Sequence, residues 1–181
     1  QSLDKYDKVI YMNTFSKSLV PSIRISYMVL PDPLMERYRR TLSFYSCTVS
    51  SFEQCTLAKF ISEGYLERHV NRQKTYYKDK RDKVIAALGR SRLMEIARIC
   101  EHHTGTHFLL KVRTAMSDEE IREKAEEKDM HLELLSGYFH ALEHGTSGTI
   151  VINYASIEPD KIDQAVSTLE KIFEAEIEKK D

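Results

Sequence analysis

The stretch VIYMNTFSKSLVPSIRISYMVLP, residues 9–31, places a lysine between two short apolar runs. Residues 8–12 and 25–30 are apolar and bounded by polar residues or proline, so we predict that each forms a buried strand. Lys17 follows the first run, and a lysine at the end of a buried strand is costly unless a site uses its amine. The segment between the two strands is therefore the first candidate for a functional site.

The neighbours of Lys17 suit a phosphorylated aldehyde. Partial desolvation lowers the pKa of an amine, and a neutral amine is a nucleophile toward aldehydes. Thr14 and Ser16 offer hydroxyls, Arg24 offers a planar guanidinium for a pair of phosphate oxygens, and Pro21 restricts the loop that leads to Arg24. Spacing alone favours a plainer interpretation, a loop with an ordinary surface lysine and arginine.

Composition excludes some classes of protein. The chain has 181 residues, 41% hydrophobic and 30% charged, with a formal net charge of -1, so no overall field attracts nucleic acid or membrane. It has no apolar run near the ~20 residues of a membrane span, and we expect no signal peptide. Three unevenly spaced cysteines fit a reduced, cytoplasmic setting. Because the chain opens without methionine directly into a strand pattern, we expect a fragment of a longer protein.

The rest of the chain alternates between helical and strand patterns. We expect Ser51 to cap one helix, Gly64 to end it in a left-handed conformation, and Ser117 with Glu120 to form a capping box at another. The order from residue 106 onward is typical of a small two-layer α/β domain. The predicted helices are 33–45, 51–64, 65–89, 117–129 and 158–180, and the further strands are 106–112, 130–134 and 148–155.

Three other features have plain explanations. His102, His103 and His107 have no acidic or cysteine partner at ligand spacing, so we predict a solvated turn and no metal site. The basic residues of 68–83 are diluted by acidic ones and indicate a solvated or lobe-facing helix rather than a nucleic-acid surface. Residues 136–140 fit equally a loop lining a substrate cleft and a turn with packed aromatics.

The residues around Lys17 also carry a resemblance. Residues 9–31 resemble the segment around the cofactor lysine of fold-type I pyridoxal-phosphate aminotransferases, which runs Ser-x-Ser-Lys, then Pro, then Arg before an apolar strand. FISEGYLERHVNRQKTYYKDKRDKVIAAL, residues 60–88, resembles more specifically the MocR-type subgroup of GntR transcriptional regulators. Those regulators are similar to aminotransferases joined behind a winged-helix DNA-binding domain. TGTHFLLKV (104–112) and VINYASIEPDKIDQAV (151–166) stand where the family has a small-domain strand and its last strand and helix.

The resemblance implies an α/β fold, the carboxyl-terminal portion of a fold-type I pyridoxal-phosphate (PLP) transferase. Residues 1–64 would end the large PLP-binding domain, with a remnant of its sheet. Residues 65–89 would form a long bridging helix, and residues 90–181 the small two-layer α/β domain.

The resemblance also assigns residue roles. Lys17 would form the internal aldimine with PLP and be the catalytic residue, and Arg24, Ser16 and Thr14 would bind the cofactor phosphate. The family's arginine for the substrate carboxylate is replaced by Val151, so transamination is in doubt and the substrate-binding residues stay unknown. The rest of the family's cofactor site would lie upstream of this sequence, so we expect the isolated chain to bind PLP poorly.

The implied function is effector sensing by a PLP-binding domain of a transcriptional regulator. The expected partners are an amino-acid or amine effector, a second copy in a homodimer, and DNA through an N-terminal domain outside this sequence, with no membrane partner. Two alternatives stay open: a genuine class I and II aminotransferase, and a dimerisation or interaction module without cofactor.

Overall fold

The computed structural model describes residues 4–16, 18–20, 22–100, 105–139 and 146–180. The predictions on Lys17, Pro21, His102, His103 and His140 lie outside these described residues. The chain divides into two compact units, Gln1–Lys74 and Thr75–Asp181, and each is described by itself. The assignment of the chain to a large domain, a bridging helix and a small domain stays a prediction.

The first unit contains a hairpin and two helices. Strands β1 (Tyr11–Thr14) and β2 (Ser26–Val29) pair in antiparallel fashion, with Tyr11 opposite Val29 and Thr14 opposite Ser26. Helices α1 (Asp32–Leu42) and α2 (Ser51–Ser62) follow, and α3 (Tyr65–Arg90) begins here and ends in the second unit.

Two local predictions about α2 have different outcomes. Gly64 has a φ of 72°, so its predicted left-handed conformation is confirmed. The predicted cap at Ser51 is wrong, because Ser50 is the N-cap residue and accepts a hydrogen bond from the Glu53 N–H at 3.2 Å. The Glu53 carboxylate accepts from the Ser50 N–H in return, which completes a capping box one residue earlier than predicted.

The predicted burial of the two hairpin strands is also wrong. Every residue of β1 and β2 is exposed, and Met12 and Met28 keep 68% and 53% of their surface accessible. The first strand also lies later than residues 8–12, at Tyr11–Thr14, because pairing with β2 begins only at Tyr11. A two-stranded sheet has two open faces, and the described residues of this unit leave its apolar side chains uncovered.

The second unit is built on a four-stranded antiparallel sheet, in which the strand at 97–100 pairs with 108–112, that strand with 149–152, and the last with 133–134. The predicted capping box is present, with Ser117 and Glu120 at the start of the helix Asp118–Glu126. A 3₁₀ turn at Arg92–Glu95 precedes the first strand. The elements are β3 (Ala97–Cys100), β4 (Phe108–Val112), α4 (Asp118–Glu126), β5 (Glu133–Leu134), β6 (Thr149–Ile152), α5 (Ile162–Ile172) and α6 (Glu174–Ile177).

The core lies against one face of this sheet. In β4 the side chains alternate, so that Phe108, Leu110 and Val112 are buried while the residues between them are half-buried. Helix α5 buries Ile162, Val166, Leu169 and Ile172, and Phe173 beyond it is fully buried. The predicted single helix over 158–180 is wrong, because the backbone at Phe173 (φ -105°, ψ 8°) leaves the helical conformation and α6 starts afresh.

The opposite face of the sheet carries a row of residues that the register brings together. Cys100 lies opposite Leu109, Leu109 opposite Val151, and Val151 opposite Glu133. Since residues directly opposite one another point to the same face, this row crosses all four strands on the side away from the core. The row therefore forms one continuous strip across the sheet.

Among the described residues, no helix has the length and apolar character needed to cross a membrane. The same residues contain no cluster of three or more His, Cys, Asp or Glu side chains placed to hold a metal ion.

Candidate cofactor and ligand sites

The loop between β1 and β2 folds back on itself through main-chain hydrogen bonds. The Phe15 N–H donates to the Ile25 carbonyl at 3.0 Å, and the Ile23 N–H donates to the Val20 carbonyl at 3.0 Å. The ring of Phe15 also lies against that of Tyr27, with centroids 5.3 Å apart. The hairpin register and this ring pair therefore hold both ends of the loop close together.

Two of the predicted phosphate-binding residues lie in contact. The Thr14 hydroxyl donates to Ser16 Oγ at 3.0 Å and accepts from the Ser16 N–H at 3.1 Å. Ser16 Oγ in turn donates to the Ile23 carbonyl at 3.2 Å. Thr14 is exposed and Ser16 half-buried, so both hydroxyls are held at the surface and can turn toward a bound anion.

Arg24 is positioned beside this group by the main chain of its two neighbours. The carbonyls on either side of it, those of Ile23 and Ile25, accept from Ser16 Oγ and the Phe15 N–H. The Arg24 side chain is exposed, and no ion pair is recorded for it within the part of the chain that the structure describes. The loop therefore presents two hydroxyls and one guanidinium, the donor set that suits a phosphate monoester. The fourth predicted residue, Lys17, lies outside the described residues.

Val151 lies elsewhere, in a groove of about 310 Å³ on the face of the second unit's sheet away from the core. We call it the sheet groove. The groove is open and combines apolar, aromatic and polar side chains. It is lined by His107, Leu109, Glu133, Leu135, Tyr138, Phe139, Val151 and Asn153.

The aromatic residues of 136–140 line this groove rather than pack in the core. Tyr138 is 64% exposed and Phe139 is 41% exposed. The Tyr138 hydroxyl donates a hydrogen bond to the Glu133 carboxylate. This bond, together with the carboxylate's negative charge, raises the pKa of the Tyr138 phenol.

Sequence reasoning did not identify Glu133 as a site residue. Its signal is weak, because Glu133 belongs to a strand of two residues and meets Val151 only through the register of β5 with β6. The one indication in the sequence is that Glu133 stands as a polar residue between two leucines in the strand pattern of residues 130–134.

Comparison with known proteins agrees with the fold. The family model for aminotransferase class I and II matches residues 1–169. The chain is 38% identical over 170 residues to the uncharacterized HTH-type transcriptional regulator YdeL of Bacillus subtilis, covering 93% of this chain and 36% of that protein. It is 34% identical over 174 residues to the probable rhizopine catabolism regulatory protein MocR of Rhizobium meliloti, covering 96% and 34%.

Solved structures share the fold at lower identity. A kynurenine aminotransferase of Pyrococcus horikoshii superposes with a TM-score of 0.79 at 24% identity, covering 97% of this chain and 43% of that one. The predicted α/β fold class is thus confirmed. The chain spans about a third of the length of the curated relatives it matches. It belongs to the aminotransferase class I and II family, and within that family it is similar to MocR-type HTH transcriptional regulators.

Proposed function

We propose that this chain is the PLP-binding, effector-sensing part of a MocR-like transcriptional regulator. The observation that carries the proposal is the donor set of the β1–β2 loop, in which Thr14 and Ser16 are in contact and the Arg24 side chain is exposed. Similarity to HTH-type regulators supports the regulatory role, and membership of the aminotransferase family supports the cofactor.

The loop residues suit the cofactor's phosphate. A phosphate monoester carries up to two negative charges, and a guanidinium can satisfy two of its oxygens at once. The hydroxyls of Thr14 and Ser16 now bond to each other and to a carbonyl, and rotation about Cβ–Oγ lets each donate to a phosphate oxygen instead. Bound PLP supplies an aldehyde that condenses reversibly with amines, and Lys17 is the amine that we assign to hold it.

The site of a sensor needs only to bind its effector, whereas the site of an enzyme must also catalyse a reaction. An amino compound that binds one conformation better than another shifts the population, and that shift is transmitted if DNA affinity differs between the conformations. In this proposal the DNA-binding domain lies outside this sequence, the regulator acts as a homodimer in the cytoplasm, and the effector is an amino acid or amine.

A second candidate function is amino-group transfer, which the fold favours because aminotransferases superpose on nearly the whole chain. In that case another group must bind the substrate carboxylate, because the Val151 side chain cannot. Incubation of the intact protein with PLP, an amino donor and a keto acid separates the two functions, since a sensor forms no new amino acid.

Arg24→Gln tests the cofactor site directly. In the intact protein we expect Arg24→Gln to weaken PLP binding by about tenfold or more, because a charge-assisted hydrogen bond to phosphate is worth roughly 1.5–3 kcal/mol. Titration by absorbance measures the affinity, and Lys17→Ala should abolish the absorbance of the lysine–cofactor imine.

Arg39→Gln is the matched control, because Arg39 is also an exposed arginine but lies on α1 outside the loop. Its PLP affinity should equal that of the unaltered protein. Equal affinities for the Arg24 and Arg39 variants, or no imine absorbance in the intact protein, would overturn the proposal.

A further inference from the structure

A cavity of about 280 Å³ lies between the β5 edge of the sheet and helices α3 and α5, entirely within the second unit. We call it the edge pocket, and its lining residues come from α3, from 130–133, from 151–157 and from α5. It adjoins the sheet groove, because Glu133, Val151 and Asn153 line both.

The edge pocket exists because the chain before β5 turns away from β6. Asp129 follows α4 in a left-handed conformation, with a φ of 54°, and the Met130 N–H donates to the Ala125 carbonyl at 2.9 Å. This bond keeps the start of the segment 130–134 beside the end of α4, and the strand that pairs with β6 is only Glu133–Leu134. The space left beside β6 is the pocket.

The lining of the edge pocket divides by burial. Every apolar lining residue is buried or half-buried, and Val84, Leu88 and Ile162 on the floor keep only 2%, 1% and 5% of their surface accessible. Every polar lining residue is exposed and lies at the rim: His131, Glu133, Asn153 and Ser156. A ligand therefore places hydrocarbon on the floor and keeps its polar group at the rim, since burying a charge without a partner is costly.

Hydrogen bonds fix the wall that follows β6. The ammonium of Lys80, a residue that is 7% exposed, donates to the Ala155 carbonyl at 2.7 Å. The Ser156 N–H and hydroxyl both donate to the Asn153 carbonyl, at 3.3 Å and 2.9 Å. Because Lys80 lies about one turn before Val84 on α3, these bonds join two walls of the pocket. The pocket is thus formed before a ligand enters, which lowers the entropic cost of binding.

The volume of the edge pocket indicates the size of its ligand. An apolar cavity of roughly 150 Å³ binds benzene, and the edge pocket is nearly twice as large. A rigid ring system also loses no internal freedom on binding, whereas an alkyl chain does.

We propose that the edge pocket binds a small neutral molecule with two fused aromatic rings and one polar group. Val84, Leu88 and Val166 contact the rings, and the Asn153 side chain at the rim forms a hydrogen bond with the polar group. The inference goes beyond the proposed function and is independent of it, because every lining residue belongs to the second unit.

The test uses the intact protein and two probes of the same shape, indole and purine. Calorimetry should show that indole binds at least tenfold more tightly, because purine would bury ring nitrogens without hydrogen-bond partners. Ala165→Leu adds three carbon atoms to the lining and should weaken indole binding at least tenfold. Ala175→Leu, which changes an exposed alanine of α6 outside the pocket, should leave the affinity unchanged.

Methyl resonances locate the bound indole without a substitution, so the test holds even if Ala165→Leu does not fold. Indole should shift the methyl signals of Val84 and Val166, which line the pocket, and leave those of Val112, which is buried elsewhere in the core. Equal affinities for indole and purine, or unchanged Val84 and Val166 signals at saturating indole, would overturn the inference. Indole binding by the 181-residue chain but not by the intact protein would overturn it too, by showing that another segment of the protein fills the pocket.

Discussion

At the residue scale, Gly148 occupies the most constrained backbone position among the described glycines. Its φ is 68°, and a Cβ built on it would lie 2.9 Å from the Val112 carbonyl oxygen and 3.2 Å from Thr114 Cγ2. Its N–H donates to Asp118 at 2.8 Å, and its carbonyl accepts from the Val112 N–H at 2.9 Å. Gly148 thus connects the start of β6 to both β4 and α4.

Asp118 explains why this connection is strong. Asp118 is 7% exposed, and its carboxylate accepts hydrogen bonds from the hydroxyls of Ser136 and Ser147 as well as from the Gly148 N–H. Asp118 is also in the first turn of α4, where the partial positive charge of the helix N-terminus favours an anion. Displacing Gly148 would move its N–H away from Asp118, and the carboxylate would lose that hydrogen-bond donor.

We therefore predict that Gly148→Ala destabilises the second unit far more than Gly105→Ala does. Gly105 also has a positive φ, 88°, but a Cβ added there would meet no described atom within 4 Å beyond its chain neighbours. Gly105→Ala should cost only the left-handed conformation, roughly 1–2 kcal/mol, whereas Gly148→Ala adds a clash with main-chain atoms. Hydrogen exchange of the Thr149–Ile152 amides measures the difference. Equal losses of protection would contradict the steric argument.

At the element scale, the sequence was most informative where one element carries its own signals. Helix α3 was predicted over 65–89 and extends over Tyr65–Arg90, since no proline interrupts its pattern. The capping box of α4 was confirmed because its two residues are three apart in sequence. The prediction of Thr14, Ser16 and Arg24 as phosphate-binding residues rests on the same kind of local signal, as all lie within eleven residues, and it stays a prediction.

The sequence was least informative where pairing between distant segments decides. Strand β3 was not predicted, because Ala97–Cys100 is short and becomes a strand through its pairing with β4. The sheet groove was missed because Glu133 and Val151 come from segments 18 residues apart and meet only through the β5–β6 register. A one-residue shift of register would place Glu133 on the other face.

The N-terminus of α2 provides an element-scale prediction, because two adjacent serines compete as its cap. Ser50 accepts from the Glu53 N–H, and its own N–H donates to the Glu53 carboxylate. Ser50→Ala should therefore reduce the stability of α2 by about 1 kcal/mol, while Ser51→Ala, inside the first turn, should cost a few tenths at most. Hydrogen exchange of the first amides of α2 distinguishes them. A larger loss of protection in Ser51→Ala than in Ser50→Ala would show that Ser51 is the cap, as the sequence predicts.

At the scale of the whole molecule, the two units differ in what they bury. The residues of the hydrophobic core, within the described chain, begin at Val84 and end at Ile177. The first unit instead exposes large side chains such as Met12, Met28 and Phe52, the last with 81% of its surface accessible. Burial of apolar surface stabilises a fold by roughly 25 cal/mol for each Å². The hydrophobic stabilisation therefore comes mainly from the second unit, which contains the core.

We predict that residues 65–181, which keep the whole of α3, fold without the segment before them. The core of the second unit comes from the sheet and from helices α3, α4, α5 and α6, all of which this shorter chain retains. Amides of β4 and β6 should therefore exchange with protection within about 1 kcal/mol of that in the 181-residue chain, because slow exchange reports the stability of the unit that contains them.

In the 181-residue chain itself, the amides of β1 and β2 should exchange much faster than those of β4 and β6. The hairpin has four residues in each strand and exposed side chains throughout, and an isolated two-stranded hairpin is at best marginally stable in water. Comparable protection in both sheets would show that the first unit is stabilised by more than its own buried surface. Loss of the slow amides in residues 65–181 would show that the core from Val84 onward is not sufficient for folding.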